Sequence, residues 1–258
     1  MFPRDTRKRW NHFLTSTKPR WPDLCGLRVF EVHKSHGLHV HLLTNRYVDV
    51  NVESYGDRGL EPVSLPSMKN IMLIGDSIRL GYQAKVAKLL AGKATVTGPE
   101  DNCRFSAYTL FHLSACVPDD DFDVIQWNNG QWDTCRMPDG RIHTPLPNYL
   151  ELQERIATIL LEKTRRLIFA TTTPVWPEQF TSGSIHPRKN EEIREYNQAA
   201  TELVVKLGIE INDLHSQLET DIKKYICQDM VHLTEEGSNL CAKCIADRLT
   251  AQPSVPAD

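Results

Sequence analysis

The chain has 258 residues, 40% of them hydrophobic and 24% charged, with a formal net charge of −3. That length and apolar content allow one sizeable core plus an extension, and the charge balance carries no footprint for nucleic acid or an anionic membrane surface. No apolar run approaches the roughly 18–20 residues that span a bilayer, no apolar segment follows the basic N-terminus as a secretory signal requires, and seven irregularly spaced cysteines fit reduced thiols in a cytoplasmic protein better than a disulfide framework.

Residues 1–67 read as an N-terminal extension. Residues 4–20 are basic and show no sustained period. Residues 27–32 and 38–43 alternate well enough for two short strands, a hairpin across 34–37, and residues 47–52 suggest a third. Five of the ten histidines fall here (His12, His33, His36, His39 and His41), but no cysteine or carboxylate cluster completes a metal site around them. Pro62 to Pro66 reads as a linker, and no catalytic group is expected before it.

The domain expected over residues 68–252 opens on Ile71-Met72-Leu73-Ile74, the continuous apolar run that a strand buried on both faces needs. It ends in Gly75-Asp76-Ser77, and apolar residues at helical spacing follow (Ile78, Tyr82, Val86, Leu89, Leu90). A serine between a buried strand and a helix sits beside unpaired N–H groups and the positive end of the helix dipole, which favour an oxyanion. The blander reading is that Asp76 or Ser77 only caps the helix. Residues 93–97 read as a second strand, 100–109 as a loop, 123–128 as a third strand and 136–147 as a polar loop. A helix over 149–164, a strand over 166–173, a helix over 191–207 ending at Gly208 and a strand over 209–213 come next. A helix over 234–249 closes the domain. Strand–helix alternation of this kind implies a parallel sheet with helices on both faces. In such sheets the site lies beyond the carboxyl ends of the strands, where Ser77 and the loops at 98–109 and 128–133 all fall.

Near the far end, Asp229-Met230-Val231-His232 places an acid three residues before a histidine, just ahead of the last helix. A serine nucleophile needs such a base, and the base needs a carboxylate to fix its tautomer. Together, Gly75-Asp76-Ser77 and Asp229-x-x-His232 resemble the SGNH (GDSL-type) hydrolase superfamily over about residues 68–250. The resemblance implies a flavodoxin-like three-layer α/β/α fold with strand order 2-1-3-4-5, and a catalytic set of Ser77, His232 and Asp229. It also implies hydrolysis of a small acyl ester, an acetyl ester of a carbohydrate among the candidates, with no cofactor. The partner is then a small-molecule ester, and the oligomeric state is unread. Met68 stands where a single-domain member of the superfamily starts.

Two departures from the superfamily pattern concern the oxyanion hole, which is usually built from the serine's own N–H, a glycine N–H and an asparagine side chain. In the second block, Phe105-Ser106-Ala107-Tyr108-Thr109 has Ala107 at the glycine position; a backbone donor survives that change if φ stays negative, and Gly98 is the alternative. In the third block, Gly130-Gln131-Trp132-Asp133 has Trp132 at the asparagine position. Asn128 is the preferred side-chain donor, with Asn129 the alternative. The missing asparagine also motivates a rival reading, a non-catalytic ligand- or carbohydrate-binding module on the same fold. Cys241-x-x-Cys244 lies inside the last helix, where packed thiols are a better reading than redox chemistry. Thr171 to Thr173, Trp176 and His186 are candidates for the crevice wall.

Overall fold

The computed structural model describes residues 29–34, 37–42, 68–117, 122–180 and 186–252. The chain divides into two compact units, Met1–Val63 and Ser64–Asp258. In the first, β1 (Val29–Lys34) and β2 (Gly37–Leu42) form an antiparallel pair in which Val32 faces His39 and Lys34 faces Gly37. The third strand suggested over 47–52 lies outside the described residues, as do the histidine side chains of this unit.

The second unit is built on five parallel strands: β3 (Lys69–Ile74), β4 (Ala94–Thr97), β5 (Val124–Trp127), β6 (Leu167–Ala170) and β7 (Glu210–Asn212). Their order in the sheet is β4-β3-β5-β6-β7, the flavodoxin-like order. The order reverses at β3, and this switch point is where a doubly wound sheet opens its binding crevice.

The run Ile71 to Ile74 shows why β3 is central. Successive side chains point to opposite faces, so Met72 and Ile74 enter one core and Ile71 and Leu73 the other. The first core takes Ile125, Trp127 and Phe169 from the sheet against α2 (Ser106–Cys116), α3 (Leu146–Leu161) and α4 (Asn190–Lys206). The second sets Val124, Ile168 and Ala170 against α1 (Ser77–Leu89), α5 (Leu214–Glu219) and α7 (Glu235–Thr250). A one-turn helix, α6 (Ile222–Tyr225), precedes the loop that carries His232. Among the described residues no helix is long and apolar enough to cross a membrane.

Several elements differ from the sequence expectation for identifiable reasons. Residues 106–109, expected in a loop, are the first turn of α2. The strand expected to run to Thr173 stops at Ala170, because a side chain from α4 replaces the ladder. Thr172 N–H donates to Asn197 Oδ1 (2.8 Å), and Asn197 Nδ2 donates to Thr172 O (2.9 Å). Leu89, counted in the apolar stripe of α1, is instead 53% exposed. At the opposite edge, Arg166 pairs with Glu210 (2.7 and 2.9 Å) and also donates to the carbonyls of Arg248, Leu249 and Ala251. One side chain thereby caps the C-terminal end of α7 and ties it to the sheet.

Candidate functional site

Asp76 is the N-cap of α1: its Oδ1 accepts from Ile78 N–H at 2.9 Å. That cap makes Ser77 the first helical residue, so its own N–H is among the donors no helix carbonyl reaches. Asp76 is fully buried, and burial pushes its pKa up to about 6 against the opposing pull of the Ile78 N–H, Arg188, His232 and Arg79. Asp76 therefore caps the helix, and the Ser77 hydroxyl stays available to a partner outside it.

The loop before α7 brings the other two groups to Ser77. Asp229 Oδ1 accepts from the N–H groups of Val231 (3.0 Å) and His232 (2.9 Å), which folds the Asp-x-x-His segment back on itself. Asp229 Oδ2 lies 2.7 Å from His232 Nδ1, and His232 Nε2 lies 2.8 Å from Ser77 Oγ. Burial works to raise the pKa of Asp229, but those two amides and the His232 ring outweigh it and hold the carboxyl below its ordinary value. An ionised carboxylate only accepts, so the proton sits on Nδ1 and Nε2 is left to accept from the Ser77 hydroxyl. The side chains of Asp229 and His232 are 51% and 50% exposed, so the pair meets solvent.

The residues expected to form the oxyanion hole are set differently. Asn128, at the end of β5, is only 3% exposed, and its Oδ1 is buried without a partner. A Cβ on Gly75 would come within 2.1 Å of that oxygen, so only glycine lets the asparagine approach the Ser77 turn this closely. With Oδ1 turned in, Nδ2 is the free donor of Asn128. The amide of Asn129 is already committed: its Nδ2 donates to Thr109 Oγ1 (2.8 Å) and Arg104 O (3.3 Å). Gly130, at φ 148°, faces Thr172, whose Oγ1 would sit 1.9 Å from any added Cβ and instead donates to Asn129 O.

In the second block, Ala107 is the second residue of α2, is exposed and keeps a negative φ. Its N–H is a first-turn donor, whereas the neighbouring Ser106 N–H is taken by both oxygens of Asp133 (3.1 and 3.2 Å). The left-handed residue of this block is Arg104, at φ 48°. Gly98, the alternative donor, packs over Leu73 O and Gln83. Asp133 is fully buried, and burial lifts its pKa to about 6 against the Ser106 and Thr144 hydrogen bonds.

The crevice walls follow from these anchors. Trp176 N–H donates to Met230 O (2.9 Å), which sets the half-buried Trp176 against the His232 loop. Trp132 and His186 have ring centroids 6.4 Å apart, and Phe105 packs on His143 at 4.6 Å. Two arginines carry no signal in the sequence. Arg188 is buried beneath the third block and donates to Gln131 O (2.5 Å) and His186 O (2.9 Å). Arg79 is buried behind the serine. Cys241 and Cys244 lie within α7, with burial pushing Cys241 up to about 12 and Cys244 in the same direction, the reverse of what a reactive thiol needs. Among the described residues no group of three His, Cys, Asp or Glu is placed to hold a metal.

No family model matches the chain. It is 33% identical over 110 residues to the GDSL esterase/lipase CPRD49 of Arabidopsis thaliana, covering 39% of this chain and 43% of that protein. The match therefore spans less than half the length of that relative. Among solved structures it is similar to Axe2, an acetylxylan esterase from Geobacillus stearothermophilus (TM-score 0.60, 14% identity, 73% of this chain and 97% of the other). It also resembles a lipase/acylhydrolase from Enterococcus faecalis (TM-score 0.54, 21% identity, 73% and 100%). At these identities the structural likeness establishes a shared fold.

Proposed function

We propose that the chain is a member of the SGNH (GDSL-type) hydrolase superfamily and a serine esterase hydrolysing small acyl esters, acetylated carbohydrates foremost, a reading supported by its likeness to a GDSL esterase/lipase and by the shared fold. The observation that carries this reading is the continuous relay from Asp229 through His232 to Ser77, at 2.7 and 2.8 Å. The acetylxylan esterases among its structural neighbours support the carbohydrate side of it.

In this mechanism Ser77 Oγ attacks the acyl carbonyl as its proton passes to His232 Nε2, and Asp229 stabilises the resulting imidazolium. The carbonyl oxygen becomes an oxyanion that accepts from the N–H groups of Ser77 and Ala107 and from Asn128 Nδ2. Collapse breaks the ester C–O bond, and His232 returns the proton to the departing alkoxide. Water then attacks the acyl-serine with His232 again as base, releasing the acid and restoring Ser77.

The test is Ser77→Ala, which should abolish turnover of p-nitrophenyl acetate without lowering Tm. A fluorophosphonate probe should label wild-type protein at Ser77. A well-folded wild type that hydrolyses no ester from acetyl to octanoyl, and takes no label, would favour the rival ligand-binding module that Trp132 in the third block motivates.

A further inference from the structure

Arg79 is 0% exposed, yet no carboxylate is hydrogen-bonded to it. Its guanidinium has five N–H donors, and the structure gives it five contacts. Nε and one Nη2 donor reach Gly75 O (3.4 and 3.3 Å). The two Nη1 donors reach Gln83 Oε1 (2.7 Å) and Pro99 O (2.8 Å). The remaining Nη2 donor reaches Asp101 O (2.7 Å).

Burying a cation among neutral acceptors is expensive, and a well-packed apolar side chain usually serves stability as well or better. The identity of the acceptors explains its presence. Gly75 is two residues before Ser77, and Pro99 and Asp101 belong to the loop that leads into the second block. Cys103 N–H also donates to Gly75 O, at 3.2 Å, and the far end of the same loop is gripped by Asp133 at Ser106 N–H. The loop is thus clamped at one end from the nucleophile helix and at the other from the third block. A planar, five-donor fork can hold three separate carbonyls in fixed relation; an ammonium cannot.

We propose that Arg79 is a positioning residue for the esterase reaction. It sets the distance between the Ser77 turn and the second-block loop, and so the aim of the backbone donor at the oxyanion. The inference rests on the esterase reading above. It acts through the oxyanion side and leaves the triad alone.

The experiment compares wild type with Arg79→Met and Arg79→Lys, counting functional sites by fluorophosphonate titration of Ser77 so that kcat is expressed per titrated serine. On p-nitrophenyl acetate, kcat per site should fall about 10²-fold in Arg79→Met, the scale of an ångström-level misalignment, and about ten-fold in Arg79→Lys. KM should stay within about three-fold, because ground-state binding does not use these donors. A boronic acid that forms a tetrahedral adduct at Ser77 should lose affinity in parallel with kcat/KM. The pH dependence of kcat/KM should superimpose on that of wild type. Wild-type kcat per titrated serine in both variants, with all loss in the number of sites, would make Arg79 merely structural and overturn the proposal. So would a displaced pH profile. If neither variant folds, the half-buried Gln83 decides: Gln83→Leu frees one Nη1 donor and should cost about three-fold in kcat per site, and no change there overturns the proposal. A wild type that is neither active nor labelled defeats the esterase reading itself, before any variant is made.

Discussion

The two sides of Ser77 are made by opposite means. On the base side, Asp229 and His232 are half exposed and three residues apart, held by a turn that closes on its own amides. On the side expected to hold the oxyanion, Asn128, Asn129, Asp133 and Arg79 are all buried, and the last three each have a hydrogen-bond partner 20 or more residues away. A group that must take and return protons works best in contact with water. Donors that must not move as charge develops work best where neighbours lock them and the dielectric is low. On the reading proposed above, mobility of the proton is separated from rigidity of the field.

The largest effect should come from the exposed side. Asp229→Asn should lower kcat on p-nitrophenyl acetate by about 10⁴-fold, because an amide no longer holds His232 in the required tautomer. Tm should barely move, since both side chains are half in solvent. A large drop in Tm would show that the turn is structural and break the contrast.

Next come the two asparagines. Asn128→Ala should cost about 10²–10³ in kcat, the usual loss of one oxyanion donor. Asn129→Ala should spare kcat relative to that and instead cost about 1–3 kcal/mol of stability, because it strands the buried groups at Thr109 and Arg104. Chevron or urea data beside per-site kinetics separate the two; the reverse pattern would make Asn129 the donor.

Burial also gives the oxyanion side a pH signature. The folded pKa of Asp133, about 6, lies above its ordinary value of 3.8. Its contribution to stability is therefore complete below about pH 3.8 and is lost as pH rises through about 6. The stability of wild type relative to Asp133→Asn should fall by on the order of 3 kcal/mol between pH 4 and pH 7. Urea unfolding at the two pH values measures it, and a flat difference would mean that Asp133 keeps its charge throughout.

The smallest effect is expected at the N-terminus. Within residues 68–252, β3 already has β4 on one edge and β5 on the other. Deleting residues 1–67 should leave esterase activity and Tm nearly unchanged. A fall of more than about 5 °C, very roughly 2 kcal/mol for a domain of this size, would show that the extension covers part of the hydrolase.

The same division decides what could be read from the sequence. Ile71 to Ser77 and Asp229 to His232 are contiguous, so the strand, the serine and its base stand out in one dimension, and the parallel fold follows from the alternation of elements. The start of α2 does not, because its N-cap residue Phe105 offers no side-chain acceptor and Ser106 N–H is instead met by Asp133, 27 residues beyond Ser106. The end of β6 is hidden for a like reason, since Asn197 of α4 takes the place of a strand at Thr172. Arg79 and Arg188 look like ordinary helix and loop cations until their acceptors are known. The sequence already favours Asn128 over Asn129 as the side-chain donor, and the hydrogen bonds that occupy Asn129 Nδ2 are in keeping with that preference.

Leu249, Ile245, Ala242 and Cys241 of α7 complete the core over Ile71, Leu73, Val124 and Ile168, and His232 stands three residues before that helix begins. As the chain leaves the ribosome, the nucleophile therefore emerges long before its base, and the base can be held only once the segment that closes this face of the sheet has docked. A partly made or clipped chain ending before residue 230 has a serine at a helix terminus but nothing to deprotonate it. On the esterase reading proposed above, hydrolytic competence therefore waits on the segment that closes this face of the sheet.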